Sequence, residues 1–392
     1  MSFKEIYKNK LLLNGIIFII FLVISVKISN IPFIYNAYTS SITDAFSTST
    51  ILLNKKKIVH IKTPEPVKAV YMTSWVAGNT KLRDKIINLI DKTEINSIVI
   101  DIKDYTGRIS FKVDDEKLKA IGSVEERIPD IVELIDLLHE KNIYVIGRIS
   151  SFQDSYFVKK FPQYAVKTKS GEVWKDYKGI SWLDAGAEPV WEYLVNIGNE
   201  AYSKGFDELN FDYIRFPSDG NMIDISYTFG KGRNRVDVMK DFYAFIDKSF
   251  RPKGIPISAD LFGMTTSNSD DLGIGQILGN ALMHFDYVAP MIYPSHYPPN
   301  FNGWPNPAKK PYDVIKFALE RGVNKAAIAS TSPNKLRPWL QDFGINGVPY
   351  TPDMVREQIK ATYDVGLTSW MMWNASNNYS LPAYEVATST GV

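Results

Sequence analysis

The sequence contains no cysteine and only four histidines among its 392 residues. Without cysteine the chain can form neither disulfides nor thiolate metal sites, and it has no thiol nucleophile. No two of the histidines are three or four residues apart, the spacing that would place two metal ligands on one helix face. We therefore expect neither a metal centre nor a cofactor.

The chain also lacks a strong excess of charge of either sign, since its formal net charge is +2. A polyanion such as nucleic acid is therefore not an expected partner. With 45% hydrophobic and 22% charged residues, the composition is typical of a globular protein. The length allows one large domain with an appendage, or two domains of ordinary size.

One long apolar run is present, at residues 11–26, and Lys4, Lys8 and Lys10 precede it. An apolar run of this kind behind lysines predicts a single-pass signal anchor, with the N-terminal end in the cytoplasm and the remainder outside. A cleaved signal peptide, which would make the protein secreted, is the alternative. The residues after the run lack a clear cleavage site with small side chains, which favours the anchor.

Three segments follow from this pattern. Residues 1–36 are predicted to form the cytoplasmic tail and the anchor, which has the lipid bilayer as its partner. Residues 37–66 are rich in serine and threonine near their start and are predicted to be an extracytoplasmic linker. Residues 67–392 are predicted to form the catalytic or binding domain.

Eight short β-rich runs alternate with helical patterns from residue 67 onward. Strands that alternate with helices build parallel sheets, and eight such units predict a TIM (β/α)8 barrel. An open doubly wound sheet is the alternative, but no glycine-rich turn follows the first strand. The predicted strands are residues 67–75, 95–105, 143–150, 208–216, 255–263, 286–294, 325–331 and 367–375.

Charged residues occur near the ends of four consecutive predicted strands. Side chains alternate between the two faces of a strand, and the carboxyl ends of barrel strands form the active-site face. The alternation predicts that five charged side chains point into the barrel at this end. They are Asp101, Lys103, Arg148, Asp212 and Asp260.

Asp212 and Asp260 are of special interest because they lie on neighbouring strands. Two carboxylates so placed can lie about 5 Å apart, the separation found in retaining glycosidases. For any one of these residues, a role as a turn former or helix cap is a real alternative. Arg215 has the opposite parity, which predicts a position at the rim or in the scaffold.

Aromatic and amide side chains near the same strand ends are predicted to bind sugar rings and hydroxyl groups. Trp370 and Trp373 differ in parity, so one of the two is expected to be a core residue. The candidate binding residues are Trp75, Tyr293, His296, Trp339, Trp370 and Asn374, together with Asp101, Lys103 and Arg148.

Seven motifs resemble one known family. They are "DIKDYTG", "GRISSFQD", "FDYIRFPSDG", "SADLFG", "APMIYPSHY", "LRPWLQDF" and "WMMWNASNNY". In this order they resemble the bacterial glycoside hydrolase family catalogued as DUF4015, which is related to the α-amylase-like barrels. The resemblance implies that Asp212 is the nucleophile and Asp260 the acid/base. Related barrels usually have glutamate in the second role and a third aspartate near strand seven, and this sequence shows no clear third.

These observations predict a membrane-anchored, extracytoplasmic glycoside hydrolase that acts on a poly- or oligosaccharide through two carboxylates. A catalytically inactive polysaccharide-binding barrel of the cell envelope is the second hypothesis. A polysaccharide deacetylase is a third, which the scarcity of histidine argues against because such sites usually hold a metal.

Overall fold

The computed structural model of the protein describes residues 58–345 and 347–385. The chain divides into two units, Met1–Ile58 and Val59–Val392. Within the described ranges, no helix is both long enough and apolar enough to cross a bilayer. The predicted anchor at residues 11–26 lies outside those ranges and stays a prediction.

Eight parallel strands close into a barrel in which each strand pairs with the next along the chain and the last pairs with the first. This confirms the barrel predicted from the sequence. The strands are β1 (Lys68–Met72), β2 (Ser97–Lys103), β3 (Tyr144–Ser150), β4 (Glu208–Asp212), β5 (Ile257–Phe262), β6 (Tyr287–Met291), β7 (Trp339–Gln341) and β8 (Trp370–Trp373).

Ten α-helices lie between and around these strands in the described part of the chain. They are α1 (Ser74–Ala77), α2 (Thr80–Ile90), α3 (Glu116–Ile121), α4 (Ile131–Glu140), α5 (Ser155–Lys160), α6 (Glu188–Lys204), α7 (Arg235–Phe250), α8 (Leu278–His284), α9 (Pro311–Ile328) and α10 (Pro352–Asp364). Two short strands, Lys167–Thr168 and Ile225–Ser226, form a separate antiparallel pair. Short 3₁₀ turns at Gly263–Thr266 and Pro294–His296 follow β5 and β6.

The alternation of side chains along β4 separates two cores. Leu209 and Phe211 are fully buried in the large apolar layer between the strands and the helices. Asn210 and Asp212 point into the barrel, where the smaller apolar cluster includes Val99, Tyr144, Ile146, Tyr293, Trp339 and Met371. The strand thus carries apolar side chains outward and polar side chains inward, as its sequence predicts.

The seventh strand is not where the sequence placed it. The predicted strand at residues 325–331 begins within the last turn of α9, and the observed strand β7 starts at Trp339. Lys325, Ala326 and Ala327 are strong helix formers, and they continue a helix that Pro311 starts in its favoured first-turn position. The prediction was therefore wrong, and Trp339 lies in strand seven rather than in a loop after it.

Residues 59–66, the end of the predicted linker, pack against the strand-start end of the barrel. The backbone N–H of Ile61 donates to Asp207 Oδ1 at 2.8 Å, and the ring of His60 stacks on Tyr202 with centroids 3.7 Å apart. The hydroxyls of Thr63 and Tyr144 are hydrogen-bonded at 2.8 Å. This segment therefore covers the end of the barrel opposite the carboxyl ends of the strands.

Candidate active site

Arg148 lies at the centre of a charged cluster formed at the carboxyl ends of β2 to β5. Its Nη1 donates to Asp101 Oδ1 at 2.7 Å, and its Nε donates to Asp212 Oδ2 at 3.1 Å. Asp260 Oδ2 is 3.9 Å from the same Nε atom. Four of the five charged residues predicted to point inward thus lie together, with three carboxylates around the guanidinium of Arg148.

The two candidate catalytic carboxylates are close enough for glycosidase chemistry. Because Asp212 Oδ2 and Asp260 Oδ2 lie 3.1 and 3.9 Å from Arg148 Nε, the two oxygens are within about 7 Å of each other. Carboxyl groups are roughly 5 to 5.5 Å apart in retaining enzymes and 6.5 to 9.5 Å in inverting ones. The limit of about 7 Å for this pair of oxygens includes the retaining geometry.

The backbone just after Asp212 adopts an unusual conformation. Tyr213 has a φ of 53°, in the left-handed region that bulky side chains rarely adopt. Its N–H donates to Asp212 Oδ1 at 2.6 Å, which orients the carboxylate. Such strain persists where the surrounding structure enforces it, and it is common at functional sites. The turn also ends β4 and directs the Tyr213 side chain toward the cavity.

Asp260 sits in a more enclosed environment than an ordinary carboxyl. Asn210 Nδ2 and Trp339 Nε1 donate to its Oδ1 at 2.9 and 2.8 Å. Burial and the nearby charge of Asp212 nevertheless raise the pKa of Asp260 well above its usual range. The protonated form that a general acid needs is therefore favoured.

Asp101 supports the cluster from the β2 side. The Tyr71 hydroxyl donates to Asp101 Oδ2 at 2.5 Å, and burial raises the pKa of this carboxyl although Arg148 opposes the rise. The Tyr71 ring stacks on Trp373 with centroids 4.0 Å apart. Burial by itself would lower the pKa of Arg148, but the nearby charges of Asp212 and Asp101 have the larger effect and raise this pKa. We interpret Asp101 as a residue that positions Arg148.

A cavity of about 600 Å³ opens above the charged cluster, a size typical of ligand sites. Six residues predicted from the sequence line it: Arg148, Asp212, Asp260, Tyr293, His296 and Trp339. Within residues 58–345 and 347–385, no group of three or more acidic or histidine side chains is arranged to hold a metal ion. The cavity thus combines paired carboxylates with aromatic walls, an arrangement suited to sugar binding.

Lys103 does not join the cluster, although its parity predicted that it would. The pairing register between β2 and β3 shifts between Asp101 and Lys103, as in a β-bulge, and such a shift redirects the side chain that follows. The Lys103 ammonium is fully buried and bonds Asp154 Oδ2 at 2.7 Å. Asp154 caps α5, so this ion pair joins a strand to the helix layer.

Three further candidates lie outside the cavity wall. Trp370 is fully buried on the helix side of β8, and its Nε1 donates to the Tyr363 hydroxyl at 3.1 Å. The Asn374 amide is occupied by bonds to the backbone of its own loop and of the loop after β7. Trp75 is 61% exposed beyond β1, where the Arg127 guanidinium lies 4.5 Å from its ring centre. Of the three, only Trp75 remains available to a long ligand.

The cavity also contains residues that sequence reasoning missed or demoted. Trp373, rather than Trp370, is the tryptophan of β8 that faces the cavity, and alternation from Met371 could have assigned it. Arg215 lines the wall despite its outward parity, because the left-handed turn at Tyr213 ends the simple alternation. Lys178 enters from the long loop after β3, and no local pattern in the sequence indicates its position.

Comparison with known families agrees with this geometry. The model of the family DUF4015, described as "Putative glycosyl hydrolase domain", matches residues 69–379. The chain belongs to this family. The match extends from the start of β1 to beyond β8, and thus includes every strand that contributes to the charged cluster.

One solved structure of low sequence identity shows the same fold. The glycoside hydrolase domain of PgaB (BpsB) from Bordetella bronchiseptica is 12% identical, with a TM-score of 0.57 over 80% of this chain and 95% of that chain. A hypothetical protein from Ruminiclostridium thermocellum is 33% identical, with a TM-score of 0.45 over 49% of this chain and 96% of that chain. No match was found among curated proteins.

Proposed function

We propose that the protein is a membrane-anchored, extracytoplasmic glycoside hydrolase that cleaves a poly- or oligosaccharide with Asp212 and Asp260. The observation that carries the proposal is the pair of carboxylates within about 7 Å of each other in two different environments. Asp212 accepts hydrogen bonds from Arg148 and from the backbone N–H of Tyr213, whereas burial raises the pKa of Asp260 and favours its protonated form. Divergent environments of this kind support the proposed roles of Asp260 as the acid and Asp212 as the nucleophile.

The proposed reaction has two steps. Asp212 attacks the anomeric carbon and forms an ester, while Asp260 gives its proton to the departing glycosidic oxygen. Asp260 then takes a proton from water, the water oxygen bonds to the anomeric carbon, and Asp212 leaves as a carboxylate. Arg148 bonds the attacking carboxylate, so it also holds that group in place between the steps.

The sequence supports the proposed extracytoplasmic location of the barrel. The apolar run at residues 11–26 follows three lysines, and an anchor of this orientation would carry the barrel outside the cytoplasm. Extracytoplasmic polysaccharides are then the accessible class of substrate. Tyr293, Trp339 and Trp373 provide the apolar surfaces on which sugar rings pack.

Release of reducing ends from a panel of polysaccharides tests the proposal. We expect wild-type protein to cleave at least one polymer, and Asp212→Asn to lower the rate by about a thousandfold or more, as losses of covalent catalysts do. Asp84→Asn, an exposed change of the same type on α2, is the matched control and should retain full activity. Equal activity of Asp212→Asn and wild type would exclude Asp212 as the nucleophile.

The first product distinguishes the mechanisms. Proton NMR of the freshly released sugar should show the anomeric configuration of the substrate, because a reaction through a glycosyl ester on Asp212 inverts the anomeric carbon twice. An inverted product would contradict the two-step reaction. Tight binding of a polymer that is never cleaved would instead support the polysaccharide-binding barrel.

A further inference from the structure

Arg215 is a buried guanidinium in the cavity wall that has no ion-pair partner among the described residues. Its side chain lines the cavity, and the residue is 7% exposed. Within residues 58–345 and 347–385 the side chain of Arg215 donates hydrogen bonds only from Nη1, to the carbonyl of Phe216 at 3.0 Å and to Ser218 Oγ at 3.1 Å. Both acceptors are neutral, and both belong to the loop that follows β4.

The remaining surroundings of Arg215 do not neutralise its charge. The guanidinium lies over the rings of Trp182 and Phe262, at 4.7 and 4.6 Å from their centres. Such rings attract a cation but accept no hydrogen bonds in the plane of its N–H groups. Burial accordingly lowers the pKa of Arg215, although nearby tyrosine and aspartate groups oppose the shift. A buried charge without a counter-ion is costly, which favours a ligand that supplies one.

A second cation lies in the same wall. Lys178 lines the cavity from the loop after β3 and has no ion-pair partner in the described residues, and it contributes to the lowered pKa of His296 on the facing loop. The other acidic residue of this wall, Asp219, is exposed and lies beyond ion-pair distance of Arg215. The catalytic carboxylates Asp212 and Asp260, in contrast, already share Arg148.

We propose that Arg215, with the exposed Lys178 in the same cavity wall, binds a carboxylate carried by the sugar substrate, so that the enzyme acts on an acidic glycan. This rests on the proposed function for the identity of the ligand as a sugar. The planar guanidinium can bind both oxygens of a carboxylate at once, through the nitrogens that no protein group occupies. The substrate class is therefore a glycan with uronic acid residues or with sugars that carry a carboxylated ether.

Matched pairs of small sugars test the carboxylate site without any need for turnover. The full chain carrying Asp260→Asn is titrated in a calorimeter with methyl glucuronide and methyl galacturonide in both anomeric forms, each against the neutral glycoside with CH₂OH in place of the carboxylate. N-acetylmuramic acid against N-acetylglucosamine tests the carboxylated ether, and glucose 6-sulfate tests a tetrahedral anion. We expect at least one carboxylated sugar to bind about tenfold more tightly than its neutral partner, a typical effect of a bidentate charged pair.

Three variants then locate the preference. Arg215→Met should abolish the difference between the acidic and the neutral sugar, and Arg215→Lys, which keeps the charge but not the planar fork, should retain only part of it. Lys117→Met removes an exposed charge on α3 and should leave the preference unchanged. If Arg215→Met fails to fold, the comparison of acidic with neutral sugars in the Asp260→Asn protein with Arg215 intact, together with Arg215→Lys, still decides the question.

Two results would overturn the inference. One is equal binding of all acidic and neutral partners, or preference for the sulfate alone. The other is an acidic preference that survives in Arg215→Met, which would leave Arg215 a purely structural role. Both binding measurements are independent of cleavage. If the wild-type protein cleaves neutral glycans and binds acidic sugars no more tightly than neutral ones, only the carboxylate site is refuted. If acidic sugars bind more tightly but the wild-type protein cleaves no polysaccharide, only the proposed hydrolase activity is refuted.

Discussion

Three carboxylates share the single guanidinium of Arg148, and all four side chains are buried. One positive charge cannot balance three negative ones in a site with little water, so ionisation of all three carboxyls is disfavoured. The pKa of Asp101 and that of Asp260 are accordingly raised, chiefly by burial. The site therefore stores a proton on a carboxyl group, which acid catalysis requires.

This arrangement should make Asp260 a source of instability. The folded-state pKa is raised above the unfolded value of about 3.9, so the contribution of this group to stability is fully present below pH 3.9 and is lost as pH rises through the folded pKa. Asp260→Asn removes the titration and should stabilise the protein at pH 7.5 by about 1 kcal/mol or more, or roughly 2 °C in Tm.

Thermal unfolding between pH 4.5 and 7.5 measures this effect. The difference in Tm between Asp260→Asn and wild type should widen as pH rises, while hydrolysis is lost. Asp84→Asn, whose carboxyl is exposed, should show no such widening. A gap that narrows with rising pH would show that the Asp260 pKa is not raised in the folded state.

The pH profile of catalysis gives a second test at Asp260. Trp339 Nε1 donates to Asp260 Oδ1, and this donor favours the charged form. Trp339→Phe should therefore raise the Asp260 pKa further and move the alkaline limb of kcat/KM to higher pH. Loss of a hydrogen bond to a charged group, worth about 1.5 to 3 kcal/mol, corresponds to about one to two pH units.

Trp304→Phe is a suitable control for that shift, because Trp304 packs against Phe301 and Phe317 away from the cavity. Its profile should match that of wild type. An alkaline limb that moves to lower pH in Trp339→Phe would mean that Asp260 does not act as the acid.

Sequence reasoning located these residues where strands are regular. Alternation along β4 and β5 placed Asp212 and Asp260 inside the barrel because both strands keep their register. It failed at Lys103, where the register shifts, and at Arg215, where Tyr213 adopts a positive φ. Bulges and left-handed turns depend on tertiary packing, and no residue pattern at these two positions signals them.

The elements show the same division between regular and irregular structure. Seven of the eight strands overlap the predicted runs, whereas β7 has only three residues and follows a proline. A strand so short has no visible alternation, and the helix formers at 325–327 resembled a buried strand instead. Its position is fixed by pairing with β6 and β8, which a local pattern cannot show.

The two ends of each strand have different tasks, and β4 illustrates this. Its last residue is Asp212 in the site, and its first residue, Glu208, accepts two bonds from Arg337 Nη1 at 2.9 and 3.0 Å at the opposite end of the barrel. The Tyr144 hydroxyl also donates to Glu208, at 3.1 Å. Residues at this end of a barrel typically serve stability rather than catalysis.

We predict that Arg337→Met destabilises the protein by about 3 to 5 kcal/mol, because it leaves the Glu208 carboxylate buried without a counter-ion. The double change Arg337→Met with Glu208→Leu should recover most of that loss. Urea unfolding of the two single variants, the double variant and wild type measures the coupling.

Activity separates this pair from the catalytic one. At pH 7 and below the unfolding transition, kcat/KM of the double variant should stay within about twofold of wild type, since the pair is at the far end of β4 from Asp212. A large loss of activity in a fully folded double variant would contradict the division of tasks between strand ends.

At the scale of the whole molecule, the segment that leads into β1 contacts the end of the barrel opposite the cavity. Residues 59–66 bond Asp207 and Tyr144 at the strand-start end, whereas the cavity opens at the carboxyl ends of the strands. A tether that reaches the barrel through this segment leaves the cavity mouth unobstructed by the segment itself. Long polymeric substrates can then enter from solvent.

Cell fractionation tests the tether. We expect the full chain to sediment with membranes and to resist extraction by high salt, because the apolar run at residues 11–26 would bind a bilayer through the hydrophobic effect rather than through charge. Phe18→Lys with Phe21→Lys places two charges in the run, and this variant should be lost from the membrane fraction. Intact mass of the sedimented protein shows whether residues 1–36 are retained, as an anchor requires, or removed, as in a secreted form.

A chain that starts at residue 59 should stay in the supernatant and cleave a soluble oligosaccharide with unchanged kcat/KM, since every residue of the charged cluster lies beyond that point. Sedimentation of that shorter chain would instead mean that the barrel itself binds the membrane.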